Sequence, residues 1–200
     1  MSTDTDPERL ILASASAARQ AMLRNAGVDF VVRVAGVDED ALKRPGADPV
    51  ELAIELACAK ALAVSRADPD AWVLGADQTL EFEGALISKA RDLDEARARL
   101  WSMRGRSHAL HSAAALARNG TIVWSAADTA TMRVRVFSDA FLDSYLKTEK
   151  DALLGVVGSY RLEGPGSQLF DVIEGDYFTV LGLPLWPVLA SLRRAGVLAT

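Results

Sequence analysis

Residues 71–88, AWVLGADQTLEFEGALIS, decide which class of fold this chain can adopt. The first six residues are a short apolar run, which is typical of a strand buried on both faces of a sheet. We expect this strand to end at Asp77 and a hairpin to follow, because Gly84 can adopt the positive φ that a tight turn requires. A buried strand followed by an antiparallel hairpin predicts a sheet of mixed direction.

The segment near the amino terminus predicts a strand, a tight loop and a helix in succession. Residues 9–13 predict a short buried strand, and Ser14 and Ser16 are N-cap candidates for a helix over residues 17–26. The free backbone N–H groups and the positive dipole at the start of such a helix can hold a phosphate, and Arg19 lies on its first turn. Ordinary helix capping explains the same residues, so this pattern alone does not establish an anion site.

A longer helix is predicted over residues 49–66, after a loop over residues 35–48 that contains Glu39. Pro49 suits the first turn of this helix, and neither glycine nor proline interrupts the segment after it. Lys60 interrupts the apolar face of the helix. Taken alone, this pattern favours a lysine that packs its aliphatic stem at the edge of the apolar stripe and extends its ammonium group into water.

The remaining segments alternate between strand and helix patterns and predict one α/β domain. Further strands are predicted over residues 30–34, 108–116, 121–125, 129–137 and 156–162. Further helices are predicted between Asp92 and Gly105, from Ser138 to about Lys147, and from Pro184 or Pro187 to Gly196. We therefore expect residues 10–200 to form an α/β fold with a mixed, partly antiparallel sheet, flanking helices and a central cleft, and residues 1–9 to form a flexible tail.

Composition limits the partners and the environment that we expect. Half of the 200 residues are hydrophobic and 24% are charged, which predicts a globular protein with a sizeable core. No apolar run approaches the roughly 18 residues of a membrane-spanning helix, and the acidic start MSTDTDPER lacks the features of a secretory signal. We expect a cytoplasmic protein without a membrane partner. The net charge of −5, from 27 acidic and 22 basic residues, argues against nucleic acid as a partner.

Several common catalytic signatures are absent from the sequence. It contains no GxxxxGKS/T, GxGxxG, HExxH or GxSxG motif, which excludes the usual nucleotide-loop, metalloprotease and esterase patterns. His108 and His111 are three residues apart on a predicted strand and should face opposite sides of the sheet, so they make a poor metal pair. The single cysteine, Cys58, lies in an alanine-rich helix and favours core packing over thiol chemistry.

Eight short motifs, taken in order, resemble those of the Maf family of nucleoside triphosphate pyrophosphatases, and the resemblance extends from Leu10 to Gly196. The motifs are LILASASAAR (10–19), VDED (37–40), LACAKA (56–61), VLGAD (73–77), ISKA (87–90), RGRSH (104–108), GSYRLEG (158–164) and EGDYFTVLGLPL (174–185). The resemblance implies a Maf/ITPase-like fold and hydrolysis of the bond between the α and β phosphates of a nucleotide.

The resemblance also assigns roles to residues of this chain. Asp77 would be the proton acceptor that activates water, and Glu39 would join it in holding a divalent cation, magnesium or manganese. Five residues would bind the phosphates, and they are Ser14, Ser16, Arg19, Lys60 and Lys89. These groups are the ones that hydrolysis of a polyphosphate needs, since the reaction requires an activated water and fixed positive charge around clustered oxygens.

Departures from the family motifs bear on the base that is recognised. Family members that prefer dTTP and UTP carry Thr after the catalytic Asp and Gln in a later loop, whereas this chain has Gln78 and Glu163, a pair that resembles the 7-methyl-GTP branch. That branch commonly has Trp where this chain has Ala18. A carboxylate suits a base made cationic by N7 methylation. Arg161 and Ser159 are further specificity candidates from the same glycine-rich loop.

The sequence therefore supports an enzyme that releases diphosphate and a nucleoside monophosphate from a nucleoside triphosphate, with 7-methyl-GTP as the favoured substrate. Two alternatives remain open. One is a dTTP/UTP pyrophosphatase, and the other is a nucleotide-binding regulator of cell division with little catalysis, for which Ala17, Ala18, Ala90 and Val156 at motif positions are the motivation. A homodimer is expected from the resemblance and from the frequency of two-fold dimers.

Overall fold

The computed structural model describes residues 9–44 and 46–200. The tail predicted at the amino terminus therefore lies outside the described residues except for Arg9, whose carbonyl accepts a hydrogen bond from the backbone N–H of Trp72. The described residues form one seven-stranded sheet with helices packed against it. This arrangement is the α/β fold with a mixed sheet and flanking helices that the sequence predicts.

The elements follow one another in the order strand, helix, strand, helix and then mostly strands. The strands are β1 (Leu10–Leu12), β2 (Val31–Val32), β3 (Trp72–Phe82), β4 (Ala85–Ile87), β5 (Ser107–Arg118), β6 (Thr121–Val134) and β7 (Phe170–Glu174). The helices are α1 (Ala17–Asn25), α2 (Pro49–Ser65), α3 (Leu93–Met103), α4 (Asp139–Glu149), α5 (Tyr177–Val180) and α6 (Leu185–Arg194), with 3₁₀ turns at Lys150–Gly155 and Pro165–Leu169.

The sheet has a parallel half and an antiparallel half that share strand β3. The strand order is β2-β1-β3-β5-β6-β7, and β4 pairs with β3 outside this path. Strand β1 runs parallel to both β2 and β3, whereas β3, β5, β6 and β7 pair antiparallel in succession. The predicted hairpin is present as β3–β4, and both Glu83 and Gly84 have positive φ at its turn.

Strand β3 does not end at Asp77, which corrects the sequence prediction. It continues to Phe82, and pairing with β5 over Val73–Glu81 supplies backbone hydrogen bonds on both sides of the carboxylate. Asp77 therefore lies in the middle of a strand. Because successive side chains point to opposite faces, Asp77 is directed towards α2 and Gln78 towards α5.

Three further predictions about the second half of the chain are wrong. The two strands predicted over 121–125 and 129–137 are one continuous strand, β6, because residues 126–128 keep their pairing with β5. Residues 156–162 form no strand, and residues 170–174, for which the sequence predicts none, form β7, which pairs with β6 at the edge of the sheet. The expectation for the histidines is confirmed, since His108 contacts Tyr160 on one face and His111 contacts Thr129 on the other.

Helix α2 packs very closely on the sheet, and this contact positions the centre of the molecule. A Cβ atom on Gly75 would lie 2.2 Å from the carbonyl oxygen of Ala57 and 2.6 Å from the nitrogen of Ala61. Only glycine therefore fits at this position of β3. The layer between α2 and the sheet is built from small residues, whereas α1 and α6 cover the opposite face with larger side chains. No helix in the described ranges is both long and apolar enough to cross a bilayer.

Candidate active site

A single cavity of about 1010 Å³ brings together all ten residues that the sequence singles out as catalytic, phosphate-binding, metal-binding or base-contacting. The residues that line it are Ser14, Ser16, Ala18, Arg19, Glu39, Lys60, Asp77, Gln78, Lys89 and Glu163. They come from the ends of β1 and β4, the start of α1, the loop before α2, α2 itself, the middle of β3 and the loop after α4. The fold thus joins segments that are up to 149 positions apart in the chain, from Ser14 to Glu163.

An ion-pair cluster lies at the centre of this cavity. Nζ of Lys60 lies 2.7 Å from Oε1 of Glu39 and 3.0 Å from Oδ1 of Asp77. The Lys60 side chain is only 13% exposed, so it does not extend into water as its position in the helix suggested. It stays inside because β3, which packs against α2, presents the carboxylate of Asp77 where the ammonium group leaves the apolar stripe.

The carboxyl group of Glu39 is held in its ionised form. Partial burial raises the pKa of Glu39, but the hydrogen bond and charge of Lys60, with smaller contributions from Lys43 and Lys89, outweigh burial and bring the pKa below its ordinary value. The two carboxylates that meet at Lys60 thus form a negatively charged pair around one cation. This pair is the acidic centre of a cavity whose lining also includes cationic side chains, among them Arg19, Lys43 and Lys89.

Arg19 connects the acidic centre to the rest of the site. Its guanidinium donates from Nη1 to Oγ of Ser14 at 3.1 Å and to the carbonyl of Ala76 at 2.9 Å, and from Nε to the carbonyl of Gly182 at 2.7 Å. Nη2 lies 3.9 Å from Oδ1 of Asp77. Burial lowers the pKa of Arg19 despite the nearby carboxylates, although an arginine stays charged at any ordinary pH. These contacts hold the guanidinium rigidly beside the cavity.

The start of α1 supplies neutral donors to the same cavity. Ser16 is the N-cap, and its Oγ accepts a hydrogen bond from the backbone N–H of Arg19 at 3.4 Å, while its own N–H donates to Oγ of Ser14 at 3.3 Å. The N–H groups of the first helical turn have no acceptor within the helix. These N–H groups, with the positive end of the helix dipole, can donate hydrogen bonds to a phosphate oxygen.

Lys89 lies at the rim of the cavity, on the segment that leaves β4. It is exposed, and within the described parts of the chain it makes no ion pair. Its charge is therefore available to a ligand, unlike that of Lys60, which is shared between two carboxylates.

The other end of the cavity is bordered by the loop over residues 155–163. Glu163 is exposed there and makes no hydrogen bond or ion pair with any residue that the structure describes. Arg161 lines the same region, but its Nε donates to Oε2 of the buried Glu149 at 2.8 Å. Ser159 is fully buried and does not line the cavity, so its direct contact with a base is not supported.

This loop is held from behind by side chains that sequence reasoning did not single out. Nη1 of Arg99 donates to the carbonyl of Val157 at 2.9 Å. Nε2 of His108 lies 2.6 Å from the hydroxyl of Tyr160, and His108 is 3% exposed. Burial lowers the pKa of His108 to about 4, so this imidazole is neutral near pH 7. Nothing in the sequence marks these contacts, since they join residues about 50 positions apart.

The carboxylates at the centre of the cavity have the donor chemistry of a magnesium or manganese site. Glu39 and Asp77 offer carboxylate oxygens, and Mg²⁺ commonly binds through one or two carboxylates while water and substrate phosphates complete its coordination. The described residues contain no group of three or more His, Cys, Asp or Glu side chains placed to hold a metal by themselves. The donor set therefore fits a cation that is shared with a polyphosphate ligand.

The chain is similar to known proteins over nearly its whole length. The model of the family described as Maf-like protein matches residues 9–195. A protein of Granulibacter bethesdensis named nucleoside triphosphate pyrophosphatase is 51% identical over 190 residues, which cover 93% of this chain and 96% of the relative. A Rhizobium meliloti protein named 7-methyl-GTP pyrophosphatase is 49% identical over 193 residues, with 94% and 97% covered.

Two further matches are a similar sequence and a distantly similar solved structure. A Caulobacter vibrioides protein named nucleoside triphosphate pyrophosphatase is 52% identical over 191 residues, with 94% of this chain and 96% of the relative covered. A solved structure titled nucleoside-triphosphatase / dITP/XTP pyrophosphatase, from Mycobacterium abscessus, is 16% identical and covers 96% of this chain and 98% of its own, with a TM-score of 0.44. So distant a structural likeness carries no argument about function.

Proposed function

Since this chain belongs to the Maf family, we propose that it is a nucleoside triphosphate pyrophosphatase. It is a hydrolase that acts on a nucleotide. In this reaction the bond between the α and β phosphates is cleaved, and the products are a nucleoside monophosphate and diphosphate. The observation that carries the proposal is the contact of Lys60 with both Glu39 and Asp77 inside a cavity that also contains Arg19.

Asp77 is the residue that we assign to water activation. Hydrolysis adds the hydroxyl of water to a phosphorus, breaks the anhydride bond and leaves the extra proton to be accepted by the protein. Asp77 faces the cavity from the middle of β3, which is a rigid position, and its Oδ1 is oriented by Lys60. A carboxylate so held can accept this proton while its neighbours bind phosphate oxygens.

Cationic side chains from three segments offset the negative charge of the triphosphate. Arg19 and Lys60 lie beside Asp77, and Lys89 supplies an unpaired charge at the rim. Ser14 and Ser16, with the first-turn N–H groups of α1, add neutral donors. Fixed donors of this kind stabilise the charge that develops on the leaving diphosphate, because they need no reorganisation during the reaction.

Glu39 and Asp77 are the residues that would hold a divalent cation, magnesium or manganese. When bound, such a cation neutralises phosphate oxygens that would otherwise repel one another and the attacking water. The carboxylates also explain why an acidic protein of net charge −5 can take a polyanionic substrate. They recruit the cation, while the basic side chains contact the phosphates directly.

We propose 7-methyl-GTP as the preferred substrate. Glu163 supports this preference, since its carboxylate is exposed to the cavity, makes no hydrogen bond or ion pair with the described residues and can attract a base that is cationic at N7. Gln78 lines the same cavity, and Ala18 leaves space where a larger side chain would narrow it. The dTTP/UTP alternative has no specific observation in its favour.

Three finer expectations go with this proposal. The protein is expected in the cytoplasm, as a homodimer, and without nucleic acid as a partner. A regulator of cell division with little catalysis remains the alternative from another functional class. A pure binding protein has no evident need for a water-activating carboxylate, and Asp77 is retained together with the cations around it.

The test is a panel of nucleotides. Purified protein with Mg²⁺ is incubated with 7-methyl-GTP, GTP, UTP and dTTP at equal concentrations, and released diphosphate is measured. We expect diphosphate from at least one nucleotide and the largest kcat/KM for 7-methyl-GTP. Absence of diphosphate from every nucleotide, alongside a working control enzyme, would refute the pyrophosphatase proposal, and a pyrimidine preference would refute only the choice of base.

A further inference from the structure

A row of polar residues crosses three neighbouring strands beneath the cavity. Gln78 on β3 is the register partner of Ser112 on β5, and Ser112 is the register partner of Asp128 on β6. Residues that are directly opposite one another in a sheet lie on the same face. The three side chains thus form one continuous polar line, and Ser112 in its middle is fully buried.

Thr179 of α5 covers this row and contacts all of its members. Its carbonyl accepts hydrogen bonds from Oγ of Ser112 at 2.7 Å and from Nε2 of Gln78 at 3.0 Å. Its own hydroxyl donates to Oδ2 of Asp128 at 2.7 Å. Thr179 and Ser112 are fully buried, so the bond between them is formed away from water, where an unmade hydrogen bond costs free energy, whereas the bond to the exposed Asp128 is only partly buried.

The row determines which way the Gln78 amide points. Nε2 faces three acceptors, each at 3.0 Å, namely Oγ of Ser112 and the carbonyls of Thr179 and Val180. An amide nitrogen carries two hydrogens, and both are used here. The reversed amide would place Oε1 against two carbonyl oxygens, which repel it. Its carbonyl Oε1 has no donor among the residues that the structure describes.

We propose that Ser112, Thr179 and Asp128 are positioning residues that fix Gln78 as a hydrogen-bond acceptor for the nucleotide base. The inference rests on the proposed function, because it assumes that the cavity binds a nucleotide. Gln78 then selects bases that offer N–H donors, and it disfavours base edges that carry only acceptors. Guanine-type bases offer such donors at N1 and N2. Asp128 acts only through Thr179, since it lies two strands away from Gln78.

The same residues could instead support phosphate binding by holding the segment that contacts Arg19. Gly182 follows α5, and its carbonyl accepts a hydrogen bond from Nε of Arg19. Loss of the Thr179–Asp128 bond would also act on phosphate binding if it merely loosened this segment. The two roles differ for a ligand without a base. Inorganic tripolyphosphate has the phosphates alone, so its binding depends on Arg19 and not on Gln78.

The experiment compares Thr179→Val and Asp128→Ala with Thr179→Ser and Asp128→Asn, which keep the hydroxyl and an acceptor. Thr148→Val is the matched control, because this threonine is exposed and its hydroxyl donates to the carbonyl of Ser144 within α4. For the best nucleotide of the panel, we expect KM to rise about tenfold in Thr179→Val and Asp128→Ala, with kcat within about twofold. The inhibition constant of tripolyphosphate should stay within about twofold, and the two conservative variants should resemble the wild type.

Each outcome decides the proposal. An unchanged KM, or an inhibition constant for tripolyphosphate that rises together with KM, overturns the positioning role. Asp128 is exposed, so its variants should fold, and their KM values test the proposal even if Thr179→Val does not fold. Failure of the wild type to release diphosphate from any nucleotide overturns the proposed function and this inference with it, whereas turnover with unaltered KM in the variants overturns the inference alone.

Discussion

Nζ of Lys60 lies 3.0 Å from Oδ1 of Asp77, and this contact joins the middle of helix α2 to the middle of strand β3. The same ammonium group contacts Glu39 at 2.7 Å, so the loop before α2 closes on the same point. Charges that are far apart in the chain therefore form one cluster whose geometry depends on how closely the helix packs on the sheet.

Asp77→Asn is expected to lower kcat by about 10³-fold, because an amide does not accept the proton that water must lose. The change is nearly isosteric, and Glu39 still balances Lys60, so KM should change by no more than a few fold. Steady-state kinetics of diphosphate release measures both quantities. Asp70→Asn, at an exposed aspartate just before β3, is the matched control. Turnover near the wild-type rate in Asp77→Asn would remove this residue from its assigned role.

Removal of divalent metal with EDTA is expected to abolish turnover, and added Mg²⁺ or Mn²⁺ should restore it. Glu39→Gln should raise the Mg²⁺ concentration for half-maximal activity by about tenfold or more, since a neutral amide is a weaker ligand than a carboxylate. Glu51→Gln, on the exposed first turn of α2, serves as the control. Full activity in EDTA, or an unaltered Mg²⁺ requirement in Glu39→Gln, would contradict the assignment of this residue.

Gly75→Ala is expected to destabilise the protein by about 1–3 kcal/mol or more and to reduce activity at the same time. The new methyl group would overlap the backbone of α2 at Ala57 and Ala61, so the helix must move outward and carry Lys60 away from Asp77. Urea unfolding and kcat/KM measure the two effects. Gly36→Ala is the control, because nothing lies within 4 Å of the atom it would add. Equal stability of the two variants would show that the close packing is not needed.

Stability should fall as the pH is lowered from about 6.5 to about 4, and His108 should account for about 3 kcal/mol of the loss. Burial lowers the pKa of His108 to about 4, whereas the unfolded chain takes up the proton near pH 6.5. Between these values the unfolded state binds more protons, so acid favours unfolding.

Urea unfolding at several pH values tests this prediction in the wild type and in His108→Gln, which keeps a polar group beside Tyr160. Carboxylates titrate in both proteins, so their contribution cancels in the difference. The free energy of unfolding of the wild type should drop relative to that of the variant as the pH falls through this window. Parallel curves for the two proteins would mean that His108 is not the group responsible.

Local sequence pattern was sufficient to predict many of the helices and turns of the fold. The hairpin at Gly84, the start of α2 at Pro49 and the helix that follows Pro184 depend on short-range chemistry, and the structure has them where the sequence places them. Local pattern failed where pairing with distant strands overrides propensity. Asp77 is unfavourable in a strand, yet β3 passes through it because β5 pairs with both sides.

The opposite error occurs at residues 156–162, whose composition favours a strand. The segment forms a loop because Arg99 binds its backbone and Tyr160 pairs with His108. Side chains of α3 and β5 thus decide the conformation of this loop, which borders the cavity. Such contacts leave no periodic signal in the sequence.

By itself, the sequence determined the kinds of groups available to this protein and the order of its elements up to β5, since both follow from residue type and short-range spacing. Only the tertiary structure decided what Lys60 and Gln78 do. The helix pattern indicated a lysine in water, but the close approach of α2 to β3 places it on two carboxylates. The orientation of the Gln78 amide likewise depends on acceptors about 100 residues away, which only the folded chain brings within hydrogen-bond distance.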